Sequence, residues 1–201
     1  MEIINSLATY LQVQGAGAFL VSTLIVTLAE IGDKTQLLAL LLIARYRQPW
    51  PIIAGIFVAT LANHAVAAWL GSFAASWLAA AWLPWVLGVS FILMGLWILV
   101  PDKLDEDAEN QEVFKKGAFL ATCILFFLAE MGDKTQIATV FLGANFTNLF
   151  GVIMGTTLGM LLANVPVILL GQFSLQRLPV RAINLVTAAL FILLGVFTLI
   201  A

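Results

Sequence analysis

The sequence is poor in charged residues and in the side chains that bind soft metals. Only 10% of its 201 residues are charged, whereas a soluble domain carries about 25%. It contains one cysteine, Cys123, and one histidine, His64, which excludes an internal disulfide and a metal site of the Cys/His type. It also lacks a glycine-rich phosphate loop, a nucleophile triad and a basic patch for nucleic acid. These absences exclude a separate soluble domain and argue against an enzyme or a nucleic-acid-binding protein.

Long apolar runs make up most of the chain, and 62% of the residues are hydrophobic. A bilayer core about 30 Å thick needs roughly 20 apolar residues per helix. We therefore predict an all-α integral membrane protein with six transmembrane helices, at residues 17–44, 52–71, 82–100, 117–144, 148–171 and 180–201. The polar or small-residue stretches between them, such as 45–51 and 72–81, are predicted to be turns. Residues 2–15 are predicted to form a short tail or an interfacial helix.

The two halves of the sequence repeat each other at an offset of 100 residues. Glycines recur at this offset in all three spans of each half, as Gly17 and Gly117, Gly55 and Gly155, and Gly95 and Gly195. We therefore predict repeat one in residues 1–100, an acidic cytoplasmic linker in residues 101–116, and repeat two in residues 117–201. Because each repeat holds an odd number of spans, the second must be inverted relative to the first, which is a transporter architecture.

The positive charges predict the orientation in the membrane. Cytoplasmic loops carry an excess of Lys and Arg. With six spans, all the basic residues outside the repeated motif fall on one side: Arg45, Arg47, Lys103, Lys115, Lys116, Arg177 and Arg181. We assign this side to the cytoplasm and both chain termini to the opposite side.

The motif Glu-x-Gly-Asp-Lys-Thr-Gln occurs twice, at residues 30–36 and 130–136, in the middle of the first and fourth spans. Each charged side chain at the bilayer centre costs roughly 2.5–3.5 kcal/mol, so a chain that carries this cost twice is expected to use these groups. Glu and Asp three residues apart share a helix face, and Gly32 and Gly132 permit a local break. The inverted repeat should bring four acids together near the midplane: Glu30, Asp33, Glu130 and Asp133.

The motif offers oxygen ligands, which suit Ca²⁺, Mn²⁺ or Mg²⁺ better than Zn²⁺. Four carboxylates and two lysines leave a charge of −2, which one divalent cation would neutralise. Without a cation the carboxylates would favour protons, because a buried charge is unfavourable. A site that holds either a divalent ion or protons indicates an exchanger, with no resident cofactor. Further candidate ligands are Thr35, Gln36, Thr135 and Gln136; Lys34 and Lys134 balance charge; and Asn63, His64 and Asn164 are candidates for side chains that support the ligands.

The same residues allow other interpretations. Glu30–Lys34 and Glu130–Lys134 could be ion pairs within a helix, with the aspartates as caps, in a membrane subunit that transports nothing. That interpretation does not explain why four acids face two lysines at the same depth. An exporter of small cationic metabolites such as amino acids, on a related fold, and an ion channel are further alternatives.

The doubled motif, the three-plus-three layout of spans and the acidic central loop resemble the Golgi-type calcium/manganese cation–proton exchanger family and its bacterial, MneA-like manganese exporters. The resemblance covers essentially the whole chain. It implies exchange of a divalent cation for protons, with Glu30, Asp33, Glu130 and Asp133 as the ion site. Eukaryotic members carry additional N-terminal sequence, so the resemblance is to bacterial members. It implies export of Mn²⁺, with Ca²⁺ as a second candidate, across a bacterial inner membrane, and it leaves the oligomeric state open.

Overall fold

The structure is a computed structural model that describes residues 16–77, 82–100, 111–171 and 180–200. Regular secondary structure in these ranges is helical, which confirms the predicted all-α class for the described residues. The helices are α1 (Ala16–Glu30), α2 (Lys34–Tyr46), α3 (Pro49–Trp77), α4 (Leu83–Ile98), α5 (Gln111–Phe114), α6 (Ala118–Glu130), α7 (Lys134–Asn145), α8 (Leu149–Leu170) and α9 (Val180–Ile200). The predicted tail at 2–15, most of the predicted linker at 101–116, and residues 172–179 between the fifth and sixth predicted spans lie outside the described residues.

Two of the predicted spans are interrupted. The span predicted at 17–44 is divided between α1 and α2, and the span predicted at 117–144 is divided between α6 and α7. Glu30 is the last residue of α1, whereas Asp33 caps α2. The prediction that Glu30 and Asp33 share one helix face is therefore wrong, because the helix ends between them.

The predicted turn at 72–81 is also partly wrong, because α3 continues to Trp77. The small residues in this stretch include Ala74 and Ala75, and alanine has the highest helix propensity of all residues. The small size of these side chains was therefore a poor indicator of a turn at this point of the chain.

A tight turn with a glycine at positive φ makes each interruption. In the second motif, Met131 has φ −66° and ψ 117°, Gly132 has φ 75°, and the Asp133 N–H donates to the Glu130 carbonyl at 3.1 Å. These values define a type II turn, whose third residue must be Gly or Asn. In the first motif, Gly32 has φ 86°. The turns deliver each aspartate to the N-cap position of the following helix.

The molecule has an apolar exterior and a charged interior. Trp50 is 73% exposed and Leu193 is 64% exposed, whereas Glu30 and Glu130 are 0% exposed. This is the reverse of a soluble protein and is typical of a protein surrounded by lipid. By length and composition alone, two helices of the described part, α3 and α8, are able to cross a membrane, and shorter apolar stretches lie in α1, α4, α6 and α9.

The helices pack as a central bundle with an outer pair. In the bundle, α1 packs along α8, and α3 packs along α6, α7 and α8. The outer pair consists of α4 and α9, which pack mainly on each other. An added Cβ on Gly95 would lie 2.8 Å from the Ala188 carbonyl, and one on Gly195 would lie 2.6 Å from the Gly88 carbonyl. Glycine at these positions therefore lets the two helices approach closely.

Glycine contacts in the central bundle recur at the 100-residue offset. A Cβ on Gly55 of α3 would lie 2.9 Å from the Phe119 carbonyl of α6. A Cβ on Gly155 of α8 would collide with the Phe19 carbonyl of α1. Equivalent positions in the two halves thus make equivalent contacts, and they bring the ends of α1 and α6 against α8 and α3.

Candidate cation-binding site

Two glutamates, one from each motif, are fully buried at the C-terminal ends of α1 and α6. Glu30 Oε1 accepts a hydrogen bond from Asn164 Nδ2 at 3.2 Å, and Glu130 Oε2 accepts one from Thr135 Oγ1 at 2.6 Å. The second oxygen of each carboxyl group, Oε2 of Glu30 and Oε1 of Glu130, has no hydrogen-bond partner. Buried polar atoms are rarely left without a partner, so each glutamate has an oxygen that a proton or a cation can occupy.

The two aspartates are buried beside the N-termini of α2 and α7, with exposures of 3% for Asp33 and 4% for Asp133. Asp33 Oδ2 accepts from the Thr35 N–H at 3.3 Å. Asp133 Oδ2 accepts from the Thr135 N–H at 3.3 Å and lies 3.3 Å from Thr135 Oγ1, whose one proton is donated at the shorter distance to Glu130. N-capping by a carboxylate satisfies a free N–H and complements the positive end of the helix dipole. Each aspartate thus holds its own turn together as well as carrying charge.

The two motifs contact each other although they are far apart in sequence, because the Lys34 side chain of the first motif lies against the Asp133 carboxylate of the second. In the described ranges, however, no group of three or more Asp, Glu, His or Cys side chains is arranged to hold a metal ion. The structure therefore brings the two motifs into contact without arranging their acids as a finished metal site.

The two lysines are the first residues of α2 and α7. Lys34 Nζ lies 3.6 Å from Asp133 Oδ1, an ion pair that joins the two motifs. Lys134 is 3% exposed, and its Nζ donates to the Val100 carbonyl at 3.0 Å. The interpretation of the lysines as partners within their own helix did not anticipate the contact between Lys34 and the opposite motif.

Each glutamine connects its turn to a neighbouring helix by hydrogen bonds. Gln36 Oε1 accepts from the Gly32 N–H at 2.9 Å, and its Nε2 donates to the Ala163 carbonyl of α8 at 3.0 Å. Gln136 Oε1 accepts from the Gly132 N–H at 2.6 Å, and its Nε2 donates to Asn63 Oδ1 of α3 at 2.6 Å. Both amide oxygens already accept a backbone hydrogen bond, so in this arrangement the glutamines position the turns.

Three further predicted residues are buried in α3 and α8. Asn63 contacts Gln136 and also donates to the Phe127 carbonyl at 3.4 Å, and Asn164 contacts Glu30. His64 is 0% exposed, and neither of its ring nitrogens has a hydrogen-bond partner.

Sequence reasoning missed one kind of group at the site. The backbone carbonyls of Ala163 and Val100 accept hydrogen bonds from motif side chains, and a carbonyl gives no signal in a sequence. The sequence also did not single out three buried hydroxyl groups without a partner in α1, α3 and α8: Ser22, Thr60 and Thr157.

The chain matches known proteins over most of its length. The family described as divalent cation/proton antiporter GDT1 matches residues 18–106 and 118–201. A Vibrio cholerae protein named "Putative manganese exporter" is 58% identical over 179 residues, which are 89% of this chain and 88% of that protein. A GDT1-like protein of Synechocystis sp. is 29% identical over 198 residues, covering 89% of this chain and 95% of its own. GDT1-like protein 5 of Oryza sativa subsp. japonica is 24% identical over 220 residues, covering 90% and 94%. No solved structure matches the chain.

Proposed function

Since the chain belongs to the GDT1 family of divalent cation/proton antiporters, we propose that it exports Mn²⁺ from the cytoplasm in exchange for protons. Membership makes the protein a membrane transporter of divalent cations and not an enzyme. The choice of Mn²⁺ is supported by the name of the Vibrio cholerae relative. Ca²⁺ is a second candidate ion, because oxygen ligands serve both ions.

The observation that carries the proposal is the pair of buried carboxylate oxygens without a partner, Oε2 of Glu30 and Oε1 of Glu130. A buried ionised carboxylate is costly unless it is paired. A proton on the carboxyl group or a bound divalent cation would each remove this cost, and the two would compete for the same oxygens. Competition between a proton and a cation for one set of groups is the basis of an antiporter.

The charge balance supports a site shared by both motifs, formed by Glu30, Asp33, Glu130 and Asp133. Two lysines balance two of these four carboxylates, and Lys34 does so across the motifs by pairing with Asp133. The remaining charge of −2 would be balanced by one divalent cation or by two protons. In this proposal Thr35, Thr135, Gln36 and Gln136 shape the turns and supply further oxygens.

The proposed architecture is six transmembrane helices in two inverted three-helix repeats. The spans are α1 with α2, then α3 and α4 in repeat one (1–100), and α6 with α7, then α8 and α9 in repeat two (117–201). It is supported by the equivalent glycine turns at 32 and 132 and by the equivalent helix contacts of Gly55 and Gly155. Interrupted helices are typical of transporter sites near the midplane, where the helix ends face the ion.

The proposed orientation has both termini on the non-cytoplasmic side of a bacterial inner membrane. Arg45 lies 4.4 Å above the ring centroid of Phe114, and the Tyr46 hydroxyl donates to the Phe114 carbonyl at 2.6 Å. These contacts bring the basic end of α2 beside the linker residues Lys115 and Lys116. Clustering of basic residues at one end supports assigning that end to the cytoplasm.

Transport by the purified protein in liposomes that enclose a pH-sensitive dye tests the proposal. With Mn²⁺, Ca²⁺ and Mg²⁺ offered in turn, we expect Mn²⁺ to move in one direction and protons in the other. Mn²⁺ flux without a proton signal would contradict the antiport mechanism. Transport of lysine without Mn²⁺ would favour the alternative metabolite exporter.

Removing the charge of either buried glutamate should stop the coupled flux. Glu30→Gln and Glu130→Gln each replace a carboxylate oxygen with an amide group that binds a cation weakly. We expect Mn²⁺ flux to fall by about tenfold or more in each variant. Glu109→Gln, in the predicted linker, is the matched control and should retain the flux. A fully active Glu130→Gln protein would remove that residue from the site.

A further inference from the structure

Side chains of the two motifs contact equivalent positions of α3 and α8. Gln36 donates to the Ala163 carbonyl of α8, and Gln136 donates to the Asn63 side chain of α3. Positions 63 and 163 differ by the same 100 residues that separate the motifs. The packing agrees, because α1 lies against α8 as α6 lies against α3. Helix α3 therefore contacts the second motif in the same way that α8 contacts the first motif.

One pair of equivalent positions breaks this correspondence. Asn164 of α8 donates to Glu30 Oε1 at 3.2 Å, and the equivalent residue of α3 is His64. Both nitrogens of His64 are buried without a partner, and so is Oε1 of Glu130. A buried histidine and a buried carboxylate oxygen, each unsatisfied, thus occupy positions that form a hydrogen bond in the other half.

The chemistry of imidazole suggests what would satisfy both groups. A neutral imidazole has one nitrogen lone pair that can bind a metal ion. Imidazole binds first-row transition metals, and although Mn²⁺ is the weakest-binding of these, it accepts a nitrogen ligand more readily than Ca²⁺ and Mg²⁺, which take oxygen ligands. The Asn164 amide group has no comparable nitrogen lone pair. The second half of the site therefore has a potential ligand that the first half lacks.

We infer that His64 is a nitrogen ligand of the transported cation beside Glu130, and that it favours Mn²⁺ over Ca²⁺. The inference rests on the proposed function and identifies a residue that selects the ion. Within the described ranges no three Asp, Glu, His or Cys side chains are arranged around a metal position. In this proposal the bound cation itself completes the site between the imidazole and the carboxylate.

Mn²⁺ is paramagnetic, so pulsed electron paramagnetic resonance tests the contact directly. His64 is the only histidine in the sequence, so in a preparation without a histidine tag any imidazole nitrogen coupled to bound Mn²⁺ belongs to His64. We expect this coupling in the unmodified protein and its loss in His64→Asn, which reproduces the amide of Asn164. Mn²⁺ that is bound and transported without nitrogen coupling would overturn this inference and leave the proposed function intact. Absence of both Mn²⁺ binding and transport would overturn both.

Ion selectivity provides the second measurement. In liposomes, we expect His64→Asn to lower the ratio of Mn²⁺ to Ca²⁺ transport by about tenfold. The matched control is Thr60→Val, which removes a buried hydroxyl without a partner one turn earlier on α3 and should leave the ratio unchanged. An equal loss of both ions in His64→Asn would indicate a purely structural role and overturn the inference. If His64→Asn fails to fold, the resonance spectrum of the unmodified protein decides.

Discussion

Lys34 and Asp133 form an ion pair between the two motifs, with 3.6 Å between Nζ and Oδ1. The lysine side chain is 18% exposed and the aspartate is 4% exposed, so water screens the pair only in part. A buried carboxylate that loses its partner is much less favourable than a paired one. The pair therefore keeps one acid of the second motif neutralised by the first motif. In the proposed mechanism this leaves the oxygens of Glu30 and Glu130 for the proton or the cation.

Removing the lysine should destabilise the protein through the charge left on Asp133. We expect Lys34→Met to lower the free energy of unfolding in detergent by about 3 kcal/mol. The double variant Lys34→Met/Asp133→Asn should recover part of this loss, because it removes both charges. Lys116→Met, at an exposed lysine, is the control and should change stability by less than about 0.5 kcal/mol. Losses that simply add in the double variant would show that the two side chains are not coupled.

Each interruption between two helices is built by the motif residues themselves. Glycine provides the positive φ, aspartate caps the next helix, and the glutamine side-chain oxygen accepts a hydrogen bond from the glycine N–H. The sequence predicted that glycine permits a break at this point. It did not predict that Asp33 leaves the helix, because the same spacing also fits a continuous helix and glycine permits a break without requiring one. The metal-ligand roles of the motif residues remain predictions.

Gly132 provides a test of the turn that is separate from packing. An added Cβ at Gly132 meets no atom within 4 Å, so Gly132→Ala should cost about 1 kcal/mol of stability through its positive φ alone. Gly132→Asn should cost less, because asparagine is the other residue that a type II turn accepts. Thermal unfolding in detergent measures both.

Gly155 is the matched control for this comparison. An added Cβ there collides with the Phe19 carbonyl of α1, so the cost is steric. At Gly155 the larger Asn should therefore be more destabilising than Ala, the reverse of the order expected at Gly132. The same order at both sites would contradict the assignment of a backbone role to Gly132.

The whole molecule combines a polar interior with an apolar surface, and this arrangement could be predicted from composition. Low charge and long apolar runs predicted the helical class, and the doubled motif predicted the family. The extension of α3 to Trp77 was not predicted, because Ala74 and Ala75 were interpreted as turn residues although alanine favours helices. The contact of Gln36 with the Ala163 carbonyl could not be predicted, because no residue type identifies a backbone group.

The orientation of the two halves can be tested with single cysteines. Gln48 follows α2 and Thr147 follows α7, at nearly equivalent positions of the two repeats, and both are exposed. Gln48 lies beside Arg45 and Arg47, whereas no Lys or Arg lies near Thr147 in the sequence. The excess of positive charge therefore predicts that Gln48 lies in the cytoplasm, and the proposed inversion of the repeats predicts that Thr147 lies on the opposite side.

In a Cys123→Ser background, which removes the only native cysteine, Thr147→Cys should react with an impermeant maleimide in intact spheroplasts. Gln48→Cys should react only after the membrane is made permeable. Labelling of both from the same side would contradict inversion of the repeats, and with it the convergence of two opposed motifs on one site. Labelling with the two sides exchanged would keep the inversion but reverse the assignment of the cytoplasmic face, because the positive residues would then lie outside. Mn²⁺ transport by both variants in liposomes would show that each cysteine reports on the active fold.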